Sequence, residues 1–342
     1  MRLPTRLAVP PLVGAVLAVG MAAVPASAAS TGTAPTGASA ASALRVSAPP
    51  ASAPSPSVLP AAAQARSGPA TAAPAGVRAL GAELADAGTG QQMWGRDAGT
   101  KRPMGSITKV MTALVVIQAG NLSQRIRVPA SAVRYVAIHD ASNAGLRAGD
   151  VLTARQLLDA MLLPSGCDAA YVLATAYGPG RAAFVAKMNA EASQLGLAKT
   201  HFANFDGLPI PTPLATYSTP ADLLALGRAA MALPVFRATV DLQAYHLADR
   251  NGHHAYTWRN TNLLIGSYAG ADGIKTGSTL AAGYCLLFEA QRGTSVLIGV
   301  VLHSTATTPG ARFTDARSML DWGFSILAAS GALRTRLGSL DP

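Results

Sequence analysis

Residues 104 to 112 read Met-Gly-Ser-Ile-Thr-Lys-Val-Met-Thr, which sets Ser106 and Lys109 three positions apart. On a helix, positions i and i+3 share a face, so the hydroxyl and the amine fall within hydrogen-bonding reach. That is a nucleophile beside its base. The residues that follow, Val110, Met111, Ala113, Leu114, Val115, Val116 and Ile117, are apolar nearly all round, as expected of a helix buried on every side. Lys109 is then rooted in a core, where desolvation disfavours the ammonium form and suits the amine to accept the Ser106 proton. Ser-x-x-Lys alone is a common chance pattern on helix surfaces. Its apolar flanks give it weight here.

Two later segments add chemistry. Pro164-Ser165-Gly166-Cys167-Asp168 joins two helical patterns, so Ser165 and Cys167 project from a tight turn. Asp272-Gly273-Ile274-Lys275-Thr276-Gly277-Ser278 places Lys275 at the end of a predicted strand, with glycines that let another backbone come close. A cation and a hydroxyl at Lys275-Thr276 suit a carboxylate. Taken singly, these are an ordinary helix-to-helix turn and an ordinary strand ending.

The elements that must position these groups are mixed. Short strands are expected over 77–87 and 91–94, forming a hairpin around Gly88-Thr89-Gly90. Helical patterns cover 154–163, 168–176, 182–195 and 220–232, the last with Thr219 as N-cap and Pro220 at the first helical position. Strands return at 273–276, 284–290 and 295–302, and a helix follows over 312–328. Sheet-forming ends around a helical insertion predict a cleft at their junction.

Residues 1–28 carry Arg2 and Arg6, an apolar run and then Ala26-Ser27-Ala28, the pattern of a secretory signal peptide. Residues 29–76 are dominated by Ala, Ser, Pro, Thr and Gly and read as a disordered linker. A folded domain over 77–333 and a tail over 334–342 complete the expected organisation. An exported chain is the expectation, membrane-tethered if the leader is retained. The net charge of +10 favours polyanionic surroundings. Nucleic acid is disfavoured, because charged residues make up only 13% of the chain and no basic run interleaves with aromatics. Cys167 and Cys285 are expected to be unpaired thiols. The scattered histidines suggest no metal site, and no cofactor fingerprint is present. The absence of heptads or an apolar patch points to a monomer.

In order, Ser106-x-x-Lys109, Ser165-Gly166-Cys167 and Lys275-Thr276-Gly277 resemble the three-motif signature of penicillin-interacting serine enzymes. The resemblance is to the low-molecular-mass D-alanyl-D-alanine peptidase family, and within it to the short single-domain actinobacterial transpeptidase type with Ser-Gly-Cys as second motif. Supporting stretches are Phe202-x-Asn204-x-x-Gly207-Leu208, Asn260-Thr261-Asn262-x-Leu264 and the Leu162-Leu163-Pro164 approach to Ser165. The resemblance implies the α+β, β-lactamase-like fold, in which an antiparallel sheet is flanked by helices and carries an inserted all-helical region. It further implies Ser106 as acyl-accepting nucleophile, Lys109 as base and Ser165 as proton shuttle. Lys275 and Thr276 would hold the substrate carboxylate, and the N–H groups of Ser106 and Ser278 would form the oxyanion hole. Cys167 stands where most members have Asn, and a thiol is a poorer hydrogen-bond donor than a carboxamide. The chain ends soon after its last predicted helix, so neither a C-terminal β domain nor a C-terminal anchor is expected.

The implied activity is a cofactor-free serine-type D-Ala-D-Ala carboxypeptidase acting on peptidoglycan stem peptides, with β-lactams as covalent inhibitors. The alternative is a D,D-transpeptidase that cross-links the same peptides. A β-lactamase is a third possibility, although Glu83, Glu191 and Glu289 are the only glutamates and none sits in a deacylation motif. A non-catalytic envelope-binding module would have no need of Ser106, Lys109, Ser165 and Lys275 together.

Overall fold

The computed structural model describes residues 73–250 and 252–338. The expected signal peptide, nearly all of the expected linker and the last four residues of the expected tail lie outside them. In chain order the elements are β1 (Gly81–Asp86), β2 (Gln92–Arg96), a 3-10 turn (Gly105–Thr108), α1 (Lys109–Ala119), β3 (Arg125–Arg127), α2 (Ala130–Ile138), β4 (Val151–Thr153), α3 (Ala154–Leu162), α4 (Cys167–Tyr177) and α5 (Arg181–Gln194). There follow α6 (Pro220–Met231), α7 (Pro234–Val240), β5 (Ala244–Leu247), β6 (Tyr256–Arg259), β7 (Ala271–Thr279), β8 (Gly283–Arg292), β9 (Ser295–Leu302) and α8 (Ala311–Gly338).

Strands from the two ends of the domain meet in one antiparallel sheet of order β2-β1-β9-β8-β7. The β1–β2 turn is held by Asp86, whose Oδ1 accepts from the Thr89 N–H (2.7 Å) and Oγ1 (2.8 Å). Strand β9 is apolar along nearly its whole length because both faces of the sheet are covered. On one face Leu84, Leu286, Phe288 and Val301 pack against Phe313, Met319 and Leu320 of α8. On the other, Leu287, Ile298 and Val300 join the larger core of the inserted helices. Helix α1 runs through the middle of that insertion, touching α3, α4, α5, α6 and α7, so apolar residues all round its circumference are required.

The helical expectations over 154–163, 168–176, 182–195 and 220–232 correspond to α3, α4, α5 and α6. The Thr219 cap forms as expected, its Oγ1 accepting from the Asp222 N–H at 3.1 Å. Other expectations need correction. Residues 77–80 are not strand, because their backbone groups are taken by side chains. The Val77 and Ala79 carbonyls accept from Arg96 Nη1 (2.7 and 3.1 Å), and the Arg78 and Ala79 N–H groups donate to Asp315 (3.1 and 2.9 Å). Strand β7 starts before Gly273 and runs past Thr276 to Thr279, so Lys275 lies within a strand and not at its end. Helix α8 continues beyond the expected domain boundary at Leu333 to Gly338. Helices α2 and α7 and the two-stranded ribbons β3–β4 and β5–β6 were not expected, being too short for periodicity to declare them.

Glu83 on β1 is buried against the helical face of the sheet, with Oε2 lacking any partner. Burial pushes its carboxyl up from 4.5 to about 7. A carboxyl raised on folding binds more protons in the folded state, so its ionisation erodes stability as pH rises from about 4.5 through about 7. Glu83→Gln should therefore match the parent protein in thermal melts near pH 4.5. By pH 8 it should be more stable, by up to about 3 kcal/mol.

Candidate active site

The Ser106–Lys109 pair forms, by a different local geometry from the one expected. Ser106 sits in the 3-10 turn just ahead of α1, where residues i and i+3 eclipse, and Lys109 is the first residue of the helix proper. Lys109 Nζ donates to Ser106 Oγ at 2.8 Å. Its side chain is fully buried, and Nζ has two further acceptors, the Asp206 carbonyl at 2.9 Å and Cys167 Sγ at 3.3 Å.

The Asp206 carbonyl is aimed by its own loop. Asn204 Oδ1 accepts from the Gly207 N–H at 2.7 Å, while its Nδ2 donates to the Leu208 and Ile210 carbonyls, both at 2.8 Å. The Asp206 carboxylate accepts from Tyr135 Oη on α2 at 2.9 Å. Gly207 adopts φ +84°, and a Cβ there would lie 2.0 Å from the Gly105 carbonyl. The loop is thus packed backbone to backbone under the nucleophile.

Strand β7 approaches from the other side just as closely. A Cβ on Gly277 would meet the Met104 carbonyl at 2.2 Å, and one on Gly105 would meet the Ser278 nitrogen at 2.7 Å. The Ser278 backbone is thereby pressed against the Ser106 turn, as an oxyanion hole requires.

Ser165 takes the left-handed conformation, φ +66°, between α3 and α4. Ser142 fixes this turn twice: its Oγ donates to the Ser165 carbonyl (2.7 Å), and its own carbonyl accepts from the Cys167 N–H (2.8 Å). Cys167 is buried, which pushes its thiol up, and it is unpaired. Cys285 is also unpaired and lies inside the sheet, its thiol pushed by burial to about 11.

Lys275 is 1% exposed, and its Nζ donates to the Thr276 carbonyl at 3.1 Å. Burial, then the neighbouring basic groups of Lys109 and Arg312, hold its ammonium well below the usual lysine range. Thr276 Oγ1 shares a 2.7 Å hydrogen bond with Thr261 Oγ1. Ser106, Ser165, Thr276 and Ser278 all line one cleft of about 510 Å³, while Lys109, Cys167 and Lys275 lie behind its wall.

Arg312 also lines this cleft and was given no role from sequence. It opens α8, where the helix dipole disfavours a cation, and its Nε is buried without a partner. A guanidinium held at the wrong end of a helix, with Nη1 on the Gly277 carbonyl at 3.4 Å and Nε unpaired, is suited to an incoming anion. Its position at the start of a predicted helix was the available signal. Ser142 and Tyr135 carried no signal, since neither belongs to a motif.

A cleft-lining serine on a buried lysine, beneath backbone donors and beside a cationic pocket, on this sheet and helical insertion, defines a penicillin-recognising serine acyl-enzyme. The family described as D-alanyl-D-alanine carboxypeptidase matches residues 68–306, and the chain belongs to it. A D-alanyl-D-alanine carboxypeptidase of Streptomyces sp. (strain K15) is 42% identical over 262 residues, spanning 73% of this chain and 88% of the relative. The crystal structure of the Streptomyces K15 DD-transpeptidase aligns with TM-score 0.69 at 41% identity, covering 73% of this chain and 98% of that one. The D-alanyl-D-alanine carboxypeptidase structure from Mycobacterium tuberculosis H37Rv aligns with TM-score 0.67 at 34% identity, covering 72% and 91%.

Gly207→Ala tests the packing beneath the nucleophile. Left-handed backbone alone costs an alanine about 1–2 kcal/mol, and the contact with Gly105 adds to that. The variant should melt at lower temperature. Where it remains folded, Ser106 should react with benzylpenicillin more slowly than in the parent, as read by intact mass.

Proposed function

We propose that the chain is a serine-type D-Ala-D-Ala carboxypeptidase that trims peptidoglycan stem peptides outside the membrane. The observation that carries this is the 2.8 Å contact between Lys109 Nζ and Ser106 Oγ, at the foot of a cleft with cations at one end. Ser106 Oγ attacks the carbonyl carbon of the penultimate D-alanine, and its proton passes to Lys109 Nζ. The N–H groups of Ser106 and Ser278 receive the oxyanion. As the C–N bond breaks, Ser165 Oγ relays a proton to the departing D-alanine amine. Water then attacks the Ser106 ester and frees the shortened peptide. Thr276, Lys275 and Arg312 bind the terminal carboxylate, so the enzyme acts on chain ends.

A transpeptidase reading has one observation in its favour. Cys167 presents a thiol where a carboxamide would orient the substrate amide more firmly, which alters the contest between water and a peptide amine for the same acyl-enzyme. A β-lactamase is disfavoured, because none of the glutamates lines the cleft to activate water. Export rests on residues 1–28 as a leader. Among the described residues no single helix is long and apolar enough to cross a membrane. We take the working unit to be a monomer.

Benzylpenicillin should give a lasting one-to-one adduct by intact mass, absent in Ser106→Ala, and a peptide ending in D-Ala-D-Ala should release D-alanine. Lys109→Ala should slow acylation about 10²- to 10⁴-fold. Arg312→Gln should lower kcat/KM about 10- to 100-fold, chiefly through KM. Continuous consumption of penicillin without a lasting adduct would instead identify a β-lactamase.

A further inference from the structure

We propose that Asp140 anchors an ammonium subsite on the acyl side of the cleft, selecting peptides with a free side-chain amine upstream of the D-Ala-D-Ala bond. The proposal rests on the peptidase reading above and names the substrate feature that reading leaves open.

Asp140 is the only carboxylate among the residues lining the catalytic cleft. It follows α2, is exposed, and makes no side-chain hydrogen bond or ion pair among the described residues. A second hollow of about 320 Å³ shares Asp140 and Ala141 with the cleft and continues beyond them past Asn143, Gly145 and Leu146. Asp168 also borders that hollow, but its carboxylate is consumed by the N–H groups of Ala144, Leu146 and Ala169 at 2.9–3.1 Å. Asp140 is thus the free acid where the two hollows join.

Its mounting is firm. The backbone adopts φ +45° at Asp140, a conformation that aspartate tolerates better than most residues. The flanking chain is tied down on both sides: the His139 N–H donates to the Tyr135 carbonyl at 3.2 Å before Asp140, and the Ala141 N–H donates to the Val136 carbonyl at 3.0 Å after it. His139, which also lines the cleft, is held edge-on against the Tyr135 ring, with centroids 4.8 Å apart.

Orientation follows from charge. Arg312, Lys275 and Thr276 take the terminal carboxylate, and Ser106 takes the scissile carbonyl. The residues upstream then leave past the wall of residues 139–142, where Asp140 stands. The chain carries a net charge of +10, a field that repels cationic peptides. A local unpaired carboxylate reverses that field where an upstream ammonium would pass.

The test uses two synthetic peptides ending in D-Ala-D-Ala and preceded by lysine, one with a free ε-amine and one N-acetylated, with D-alanine release as readout. The parent protein should prefer the free amine roughly three- to fivefold in kcat/KM, the range of an exposed ion pair. That preference should shrink as salt rises from about 50 to about 500 mM. In Asp140→Asn the preference should fall to about one. Equal use of both peptides by the parent, a preference that ignores salt, or one that survives in Asp140→Asn would each overturn the subsite and leave the peptidase reading standing. If the parent neither releases D-alanine nor forms a penicillin adduct, the peptidase reading fails and the subsite with it.

Discussion

A lysine nitrogen sealed from water needs polar partners all round, and Lys109 finds them on three separate parts of the chain. Ser106, the Asp206 carbonyl and Cys167 Sγ surround Nζ at 2.8, 2.9 and 3.3 Å. Each comes from a different element: the 3-10 turn, the loop after α5 and the first turn of α4. The amine can therefore be satisfied only when the turn, α4 and the loop are all in place. When Ser106 gives up its proton, the other two partners keep the nitrogen aimed at the oxygen it serves. The thiol is the weakest of the three, so the Asp206 carbonyl carries most of that orienting duty. This is why the Asn204 and Gly207 geometry matters to chemistry several bonds away.

Close backbone approach is the second constraint, and it follows from the first. A nucleophile above a buried lysine still needs N–H donors within reach of its product, so β7 must come almost into contact with the turn holding Ser106. Gly105, Gly207 and Gly277 permit this, since a single methyl at any of them would collide with backbone at 2.0–2.7 Å. The same β7 carries Lys275 and Thr276. Closing the oxyanion hole and presenting the carboxylate anchor are therefore one structural act.

Much of this was legible in the sequence, and for identifiable reasons. The α1 helix declared itself because burial on all sides leaves a nearly unbroken apolar run. The α6 start declared itself because Thr219, Pro220 and Asp222 each satisfy a stated backbone need. The ordered motifs located the cleft because they mark its three walls. What stayed hidden depends on tertiary contacts that periodicity does not encode. Residues 77–80 look like strand yet spend their backbone groups on Arg96 and Asp315. Ser142 holds the Ser165 turn from outside any motif. Arg312 reads as an unremarkable first-turn residue until the fold places it beside β7, with a buried Nε that has nothing to donate to.

On the proposed reading, the basic groups around the cleft favour a free carboxyl terminus as the feature recognised. Lys275 is buried beside Lys109 and Arg312, and burial and mutual repulsion both disfavour its charge. Arg312 adds to this at the unfavourable end of a helix dipole. Three basic groups converge there, and Asp140, the one carboxylate lining the cleft, hydrogen-bonds to none of them. A terminal carboxylate supplies the missing anion and makes each cation less costly to hold. An internal peptide bond brings no charge and leaves the pocket as strained as before. On the proposed reading, selectivity for chain ends follows from the cost of holding these cations together, which an anionic substrate relieves beside Ser106.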